Sequence, residues 1–292
     1  RLSRWPQIGG TSIANAAADQ TARREAAAKA QRNMLRGLLS LRPVARLADW
    51  RSLATNSRGG GGGGRSGGQP GGRLPNLREM VSVSEVLDAH RKYGGRYGIV
   101  PLTASWSRIS RLLGQPEQRR ALKESRRLAA GLAELADHSV SKAPVFDARA
   151  VANKSHAVAS IQLKSGWRAT PALWQALAAR GRDVAADFDP QGLANTVWAF
   201  AKAQQPDPAL FQTVADEAVR RGLDEFNEQD LANTAWAFAT AEQPAPALFK
   251  AVAEEAVRRG LGEFKPQELA NTARAFAKAE QPAPKLFEAV AE

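Results

Sequence analysis

Two sets of residues in this sequence combine suitable side chains with regular spacing. In the first set, an asparagine returns about once every 38 residues, and a planar side chain follows it three positions later. The asparagines are Asn153, Asn195, Asn233 and Asn271, and the planar residues are His156, Trp198, Trp236 and Arg274. An amide donates and accepts hydrogen bonds, and a planar group stacks on a nucleic-acid base. The pattern therefore indicates binding chemistry.

The asparagines allow two interpretations. An amide can read a base, but a base-reading position should vary between repeats, as it does in proteins whose repeats each read one base. The four asparagines do not vary. We therefore expect them to bond backbone groups of neighbouring repeats, with base reading as the alternative.

The planar position also allows two interpretations. On a helical wheel, Trp236 lies about 140° from Leu231 and about 160° from Phe238, so it falls outside the main apolar stripe. This placement would allow the planar groups to stack on RNA bases. Because solenoid helices are buried on more than one side, core packing is the stronger expectation for the tryptophans, and base stacking is the functional alternative.

The second set is a cluster of cations at helical spacing. Its members are Arg119, Arg120, Lys123, Arg126 and Arg127. Four of them stand at i, i+4, i+7 and i+8 and form a basic stripe opposite a stripe of leucines, which suits contacts to phosphate groups. A solvated helix face is the alternative.

Composition excludes several other kinds of site. The chain has no cysteine and three scattered histidines, which excludes thiol chemistry, iron–sulfur ligation and zinc sites of the cysteine type. No histidine stands near a repeated serine or aspartate in a nucleophile arrangement. We therefore expect a protein that is not an enzyme and that has no cofactor, metal or small-molecule substrate. No apolar run approaches the length of a membrane span.

The charge is unevenly distributed along the chain. The formal net charge is +12. Residues 1–145 hold 25 Lys and Arg against 10 Asp and Glu, a net of +15, and residues 146–292 hold 16 against 19, a net of −3. A polyanionic partner such as RNA is therefore expected to dock mainly on the first half.

Internal repetition dominates the second half. Phe188, Phe226 and Phe264 are 38 residues apart, and each precedes a Leu-Ala-Asn-Thr core and a Gln-Pro-x-Pro-x-Leu-Phe tract. A degenerate copy begins at Phe146, and a fainter one is placed at Tyr97. The repeats are assigned to residues 146–292, divided into 146–187, 188–225, 226–263 and a truncated 264–292.

Each repeat is predicted to form two helices. Asp189 and Asn227 suit N-caps, the Pro-x-Pro tract separates the helices, and Gly260 suits the end of a second helix. A helical pair of this size cannot bury its apolar face alone, so the pairs must stack. The predicted fold is all-α: an α-solenoid of antiparallel helical pairs behind a basic, partly disordered N-terminal arm.

Three segments precede the repeats. Residues 1–58 are a basic, Arg- and Ala-rich arm or transit-like segment, and residues 59–75 are a glycine-rich linker. Residues 76–145 are predicted to be a helical lead-in, in which Ser84 caps one helix. A single longer helix is expected to carry Leu122 to Leu135 together with the basic stripe.

The Leu-Ala-Asn-Thr-x-Trp-Ala-Phe-Ala cores at a 38-residue period resemble the octotricopeptide-repeat (OPR) proteins of algae and related protists. Residues 81–113 also resemble the helical region before the repeats of OPR and RAP-domain proteins, relatives of the FAST-kinase-like family. The resemblance covers about three quarters of the chain and is specific over residues 188–292. It implies an α-solenoid imported into a chloroplast or mitochondrion that binds organellar RNA.

Two departures limit what the resemblance implies. The family's Pro-Pro-Pro-Glu-Trp tract is here Gln-Pro-Ala-Pro-Ala-Leu-Phe, for example at residues 243–249. No segment resembles the C-terminal RAP domain, so the nuclease activity proposed for that domain is not expected.

Two hypotheses for the function follow. The first is a non-catalytic organellar RNA-binding protein that acts in the stability, processing or translation of an mRNA. The alternative is a structural subunit of a large organellar ribonucleoprotein, such as a mitochondrial or chloroplast ribosome, with rRNA and other proteins as its partners.

Overall fold

The computed structural model describes residues 74–291, and this part of the chain is helical without any strand. The arm predicted for residues 1–58 and nearly all of the linker predicted for 59–75 lie outside the described residues. The helices are α1 (Val83–Tyr93), α2 (Ile99–Leu112), α3 (Pro116–Glu124), α4 (Arg126–Lys142), α5 (Ala148–Ser165), α6 (Pro171–Asp183), α7 (Pro190–Lys202), α8 (Pro208–Arg221), α9 (Glu228–Thr240), α10 (Pro246–Arg259), α11 (Pro266–Lys278) and α12 (Pro284–Ala291).

The helices form two layers. Helices α2, α5, α7, α9 and α11 pack side by side in one layer, which we call the A layer. Helices α4, α6, α8, α10 and α12 pack side by side in the other, the B layer, and α1 contacts both α2 and α4. Consecutive helices along the repeats alternate between the layers. The predicted all-α helical-repeat fold is confirmed.

Short-range chemistry sets the ends of the repeat helices. Asp189 and Asn227 cap α7 and α9 as predicted, since their side chains accept hydrogen bonds from the backbone N–H of Gly192 and Asp230. Helices α7, α9 and α11 each end in a turn that places a non-glycine residue at positive φ, namely Gln204, Glu242 or Glu280. The backbone N–H of the following residue donates a hydrogen bond to the carbonyl five residues before it. This bond satisfies a carbonyl at the end of the A helix, and a proline then starts the B helix.

The lead-in differs from its prediction at two places. The single longer helix is wrong, because Ser125 has an extended backbone that ends α3 and its hydroxyl accepts a hydrogen bond from Leu128 N–H at the start of α4. Serine favours such a cap over a helix interior, since its side chain competes for backbone groups. The cap of α1 is Ser82 rather than Ser84.

Alanine and phenylalanine hold consecutive repeats together. Neighbouring A helices approach each other more closely than neighbouring B helices do, and their facing residues include the buried alanines Ala194, Ala199 and Ala235. A B-helix aromatic ring then packs edge-on against a phenylalanine of the next A helix, with ring centroids 4.9–5.1 Å apart. The pairs are Trp174–Phe200, Phe211–Phe238 and Phe249–Phe276.

An arginine at the end of α8, and another at the end of α10, binds backbone carbonyls around the start of its own repeat. Arg221 donates to the backbone carbonyls of Ala185, Ala186 and Phe188, and its guanidinium also pairs with Glu217. Arg259 repeats this arrangement one repeat later, with the carbonyls of residues 223, 224 and 226. The neighbouring Arg220 is exposed, and among the described residues it pairs with Glu217 alone. Two adjacent arginines at the end of one helix thus have different roles.

We predict that Arg221→Met lowers the free energy of unfolding by about 2–3 kcal/mol, because three backbone carbonyls lose a charged donor. Arg220→Met removes the same charge from an exposed position and should cost clearly less than Arg221→Met, because solvent screens its ion pair. Urea unfolding followed by circular dichroism measures both. Equal losses in the two variants would contradict this role for Arg221.

The degenerate repeat buries a lysine between α2 and α5. Lys154 is fully buried, and it stands where the later repeats have Thr196, Thr234 and Thr272. Its Nζ donates to Thr103 Oγ1 (3.3 Å) and lies 4.3 Å from the centroid of the Phe146 ring. Burial lowers the pKa of Lys154 from 10.5 to about 7.

This lysine makes stability depend on pH. Above about pH 7 the folded chain holds Lys154 neutral, whereas the unfolded chain keeps it protonated up to a pKa of 10.5. The free energy of unfolding should therefore rise as the pH is raised from about 7 to 10.

We predict that Lys154→Met raises the free energy of unfolding at pH 7 by about 1–3 kcal/mol and flattens its pH dependence. Thermal melts between pH 7 and pH 10 measure both effects. If the free energy of unfolding rose with pH as steeply in the variant as in the original protein, a group other than Lys154 would be responsible for the pH dependence.

Candidate functional site

The A layer carries a regular array of side chains on its exposed side. On each of α5, α7, α9 and α11, four positions separated by four, three and four residues lie outside the fully buried stripe. All but one of the sixteen side chains are exposed or half-buried, the exception being Ser160. We call this surface the A face; its rows are Arg149, Asn153, His156 and Ser160 on α5; Gln191, Asn195, Trp198 and Lys202 on α7; Gln229, Asn233, Trp236 and Thr240 on α9; and Gln267, Asn271, Arg274 and Lys278 on α11.

Contacts between neighbouring helices show that the rows lie in register. The rings of His156 and Trp198 stack with centroids 5.1 Å apart and planes at 27°. Lys278 Nζ donates to the carbonyl of Thr240, which holds the same position one repeat earlier, at 3.4 Å. Equivalent side chains therefore form columns that run across the helices.

The asparagine column does not have the structural role expected from its constancy. Among the described residues, the side chains of Asn153, Asn195, Asn233 and Asn271 make no hydrogen bond, and all four are exposed or half-buried. The prediction that they bond backbone groups of neighbouring repeats is wrong. The threonine beside them bonds within its own helix instead, since the buried Thr196 hydroxyl donates to the Gly192 carbonyl one turn earlier at 2.7 Å.

The planar column lies at the margin of the core. His156, Trp198, Trp236 and Arg274 are each half-buried, and the two tryptophans pack against the core with part of their surface. Part of their surface already contacts protein: His156 stacks on Trp198, and Lys202 Nζ lies 5.3 Å from the Trp236 ring centroid. Burial lowers the pKa of His156 to about 4, so the His156–Trp198 stack is uncharged at pH 7.

The A face is positively charged although the repeat half is not. Four of its sixteen residues are Lys or Arg and none is Asp or Glu, a net of +4, whereas residues 146–292 have a net of −3. The acidic residues are used elsewhere: Arg220 and Arg258 bind Glu217 and Glu255 and lower the pKa of each carboxyl to about 2. Glu242 stands at the edge of the face, 3.9 Å from Lys278 Nζ.

The predicted basic stripe is divided between two helices. Arg119 is half-buried and donates to the carbonyls of Leu113 (3.1 Å) and Gly114 (2.9 Å), so it closes the end of α2. Arg120 pairs with Glu124 and Arg127 pairs with Asp88. Within the described residues, Lys123 and Arg126 are the two members of the set without an ion pair or side-chain hydrogen bond. The stripe is therefore a weaker anion site than its sequence spacing indicates.

Sequence reasoning missed the glutamine column. Gln191, Gln229 and Gln267 are identical in the three clear repeats, stand four residues before the asparagines, and make no side-chain hydrogen bond within the described residues. The sequence signal was the recurrence of glutamine at a 38-residue spacing. It was overlooked because glutamine is a common residue near the start of a helix.

The described residues contain no group of three or more possible metal ligands. His90 and His138, which face each other across α1 and α4, form only a ring-nitrogen pair at 3.0 Å. None of the described helices combines the length and the apolar character needed to span a membrane.

Comparisons with known proteins give one similarity. Residues 202–234 and 255–272 match a family described as "Protein of unknown function (DUF1601)". Each matched segment ends within an A helix, at Thr234 in α9 and Thr272 in α11, and both include the step from a B helix to the next A helix. No curated protein matches the chain.

We predict that Trp236→Ala lowers the free energy of unfolding by only about 1–2 kcal/mol, because the ring is half-buried. Phe238→Ala, two residues away on the same helix, should cost about 3–5 kcal/mol, because its ring is fully buried. Urea unfolding compares the two. Similar losses would place Trp236 in the core.

Proposed function

We propose that the chain is a non-catalytic RNA-binding protein of the octotricopeptide-repeat type and that it binds single-stranded RNA on the A face. The observation that carries the proposal is the composition of this face: two columns rich in amides that make no side-chain hydrogen bond to the described part of the chain, planar groups in a third column, cations at several positions and no acid. Amides bond to base edges, planar groups stack on bases, and cations hold phosphates.

The packing of the A layer supports the same surface. Neighbouring A helices lie closer together than neighbouring B helices. Closely spaced rows present their side chains toward one extended ligand. The B helices α8 and α10 offer no comparable array, since their arginines bind carboxylates and backbone carbonyls.

Further cations lie at the end of the solenoid near α3. Lys123 and Arg126 stand beside an open depression at the α3–α4 junction that is lined by Glu124, Ser125 and Arg127. They supplement the A face with sequence-independent phosphate contacts. The basic residues of 1–58 add the same kind of contact.

We place the protein in a mitochondrion or a chloroplast, after import. The support is the Arg- and Ala-rich composition of residues 1–58 and the resemblance of the repeats to an organellar family. The RNA in this setting is an organellar transcript.

We predict that Lys202→Glu combined with Lys278→Glu weakens binding of a mixed-sequence single-stranded RNA about tenfold or more, because both changes introduce negative charge on the A face. Fluorescence anisotropy at fixed salt measures the affinity. The salt dependence of binding should also become shallower.

The matched control is Lys250→Glu combined with Lys285→Glu. These lysines are exposed on the B helices of neighbouring repeats, so the change in net charge is the same. The control should alter affinity less than about twofold. Equal losses in both double variants would show that net charge, rather than the A face, determines binding.

A further inference from the structure

We infer that α1 is a pH-sensitive latch at one end of the described stack, held closed on α4 at neutral pH by a hydrogen bond between His90 and His138. The inference does not depend on RNA binding. Its basis is the placement of these two of the chain's three histidines, which lie on different helices and 48 residues apart in the sequence.

The two imidazoles meet where α1 packs on α4. His90 Nε2 lies 3.0 Å from His138 Nδ1, and the ring centroids are 5.3 Å apart. His90 is buried, whereas His138 is half-buried and borders a cleft that is open to solvent. Protons can therefore reach the pair while the chain stays folded.

Hydrogen-bond chemistry makes this contact depend on protonation. A neutral imidazole has one donor and one acceptor nitrogen, whereas a charged imidazole has two donors. The bond between His90 and His138 therefore needs at least one of the two facing nitrogens to be without a proton. When both rings are charged, two N–H groups and two positive charges meet at 3.0 Å, and α1 is repelled from α4.

The surroundings of the pair oppose the charged state. Burial is the largest effect that lowers the pKa of both histidines below 6.5. The cations Arg91 of α1, Lys142 of α4 and Lys154 of α5 lower these pKa values further, and Glu134 of α4 acts in the opposite direction. Glu134 is already bonded to Arg91, at 2.9 and 3.3 Å. Tyr97 beside His90 stays uncharged, because burial raises the pKa of its hydroxyl.

These groups give the latch its direction. A histidine released from the contact takes up its proton near pH 6.5, whereas the docked pair takes up protons at lower pH. The closed state therefore has its full stability above about pH 6.5 and loses stability as the pH falls below that value.

The latch can open locally and has a consequence for charge. Helix α1 has 11 residues and makes its main contacts with α2 and α4, so it can open while the repeats stay folded. Opening separates Asp88 of α1 from Arg127 of α4, which are 2.6 Å apart in the closed state. Acid thus releases a cation beside the α3–α4 depression.

The test is amide hydrogen exchange of the full chain at pH 7.5 and pH 5.5, with each rate divided by the intrinsic rate at that pH. The protection of α1 should fall about tenfold or more relative to that of α9, because each excluded proton contributes up to a factor of about ten over this interval. Helix α9 is the reference for global effects, which include the titration of His156 and Asp230.

The double variant His90→Gln with His138→Gln removes both titrating rings and keeps amides that can bond to each other. Its α1 protection should change less than about twofold relative to α9 between the two pH values. His138→Gln alone should show a smaller change than the original protein. The control is His156→Gln, which removes the third histidine from α5 and should keep the full response of α1.

Equal changes of protection in α1 and α9 of the original protein, including no change in either, would overturn the inference. An undiminished α1 response in His138→Gln would also overturn it, as would loss of that response in the His156→Gln control. These outcomes leave the proposed RNA binding by the A face unaffected.

Discussion

The close packing of alanine-rich A helices is the constraint on which the rest of the structure depends. Neighbouring A helices lie closer together than neighbouring B helices, and small buried side chains such as Ala194 and Ala235 permit such an approach. The close spacing brings equivalent side chains of successive repeats within contact distance. The His156–Trp198 stack is a direct consequence. An array of columns exists only because the helices are this close.

The register of the columns depends on how each helix begins and ends. The N-cap at Asp189 or Asn227 sets the first turn of an A helix, and the turn at Gln204 or Glu242 sets its last. Arg221 and Arg259 then bind the backbone just before the A helix of their own repeat. These contacts also explain the charge distribution, since the carboxylates of Glu217 and Glu255 bind the arginines and leave the A face without acids.

The repeat at residues 146–187 shows how the array changes toward α1. Lys154 replaces the buried threonine and Arg149 replaces the surface glutamine, so both the core and the A face differ from the later repeats. The lead-in continues the same layers: Tyr97, Leu102 and Ile109 are buried on or just before α2, and α2 packs on α5. The described helices therefore form one continuous stack in which the amide rows occupy the part with the clearest repeats.

The sequence by itself determined the all-α repeat architecture and the caps of the repeat helices at Asp189 and Asn227, because each of these follows from periodicity and from contacts within a few residues. It placed Trp236 off the main apolar stripe, but the half-buried ring also packs against the core. It did not predict the break at Ser125, because the spacing of the basic residues across Ser125 fits one continuous helix as well as two shorter helices. It misassigned the asparagines, because constancy does not distinguish a buried bond from a repeated surface group. Only the tertiary structure decided which groups have partners, because hydrogen bonds and ion pairs form between residues that the fold brings together. Within the described residues, these pairings left the amides of the A face without side-chain hydrogen bonds. They also left no acidic residue among the cations of that face.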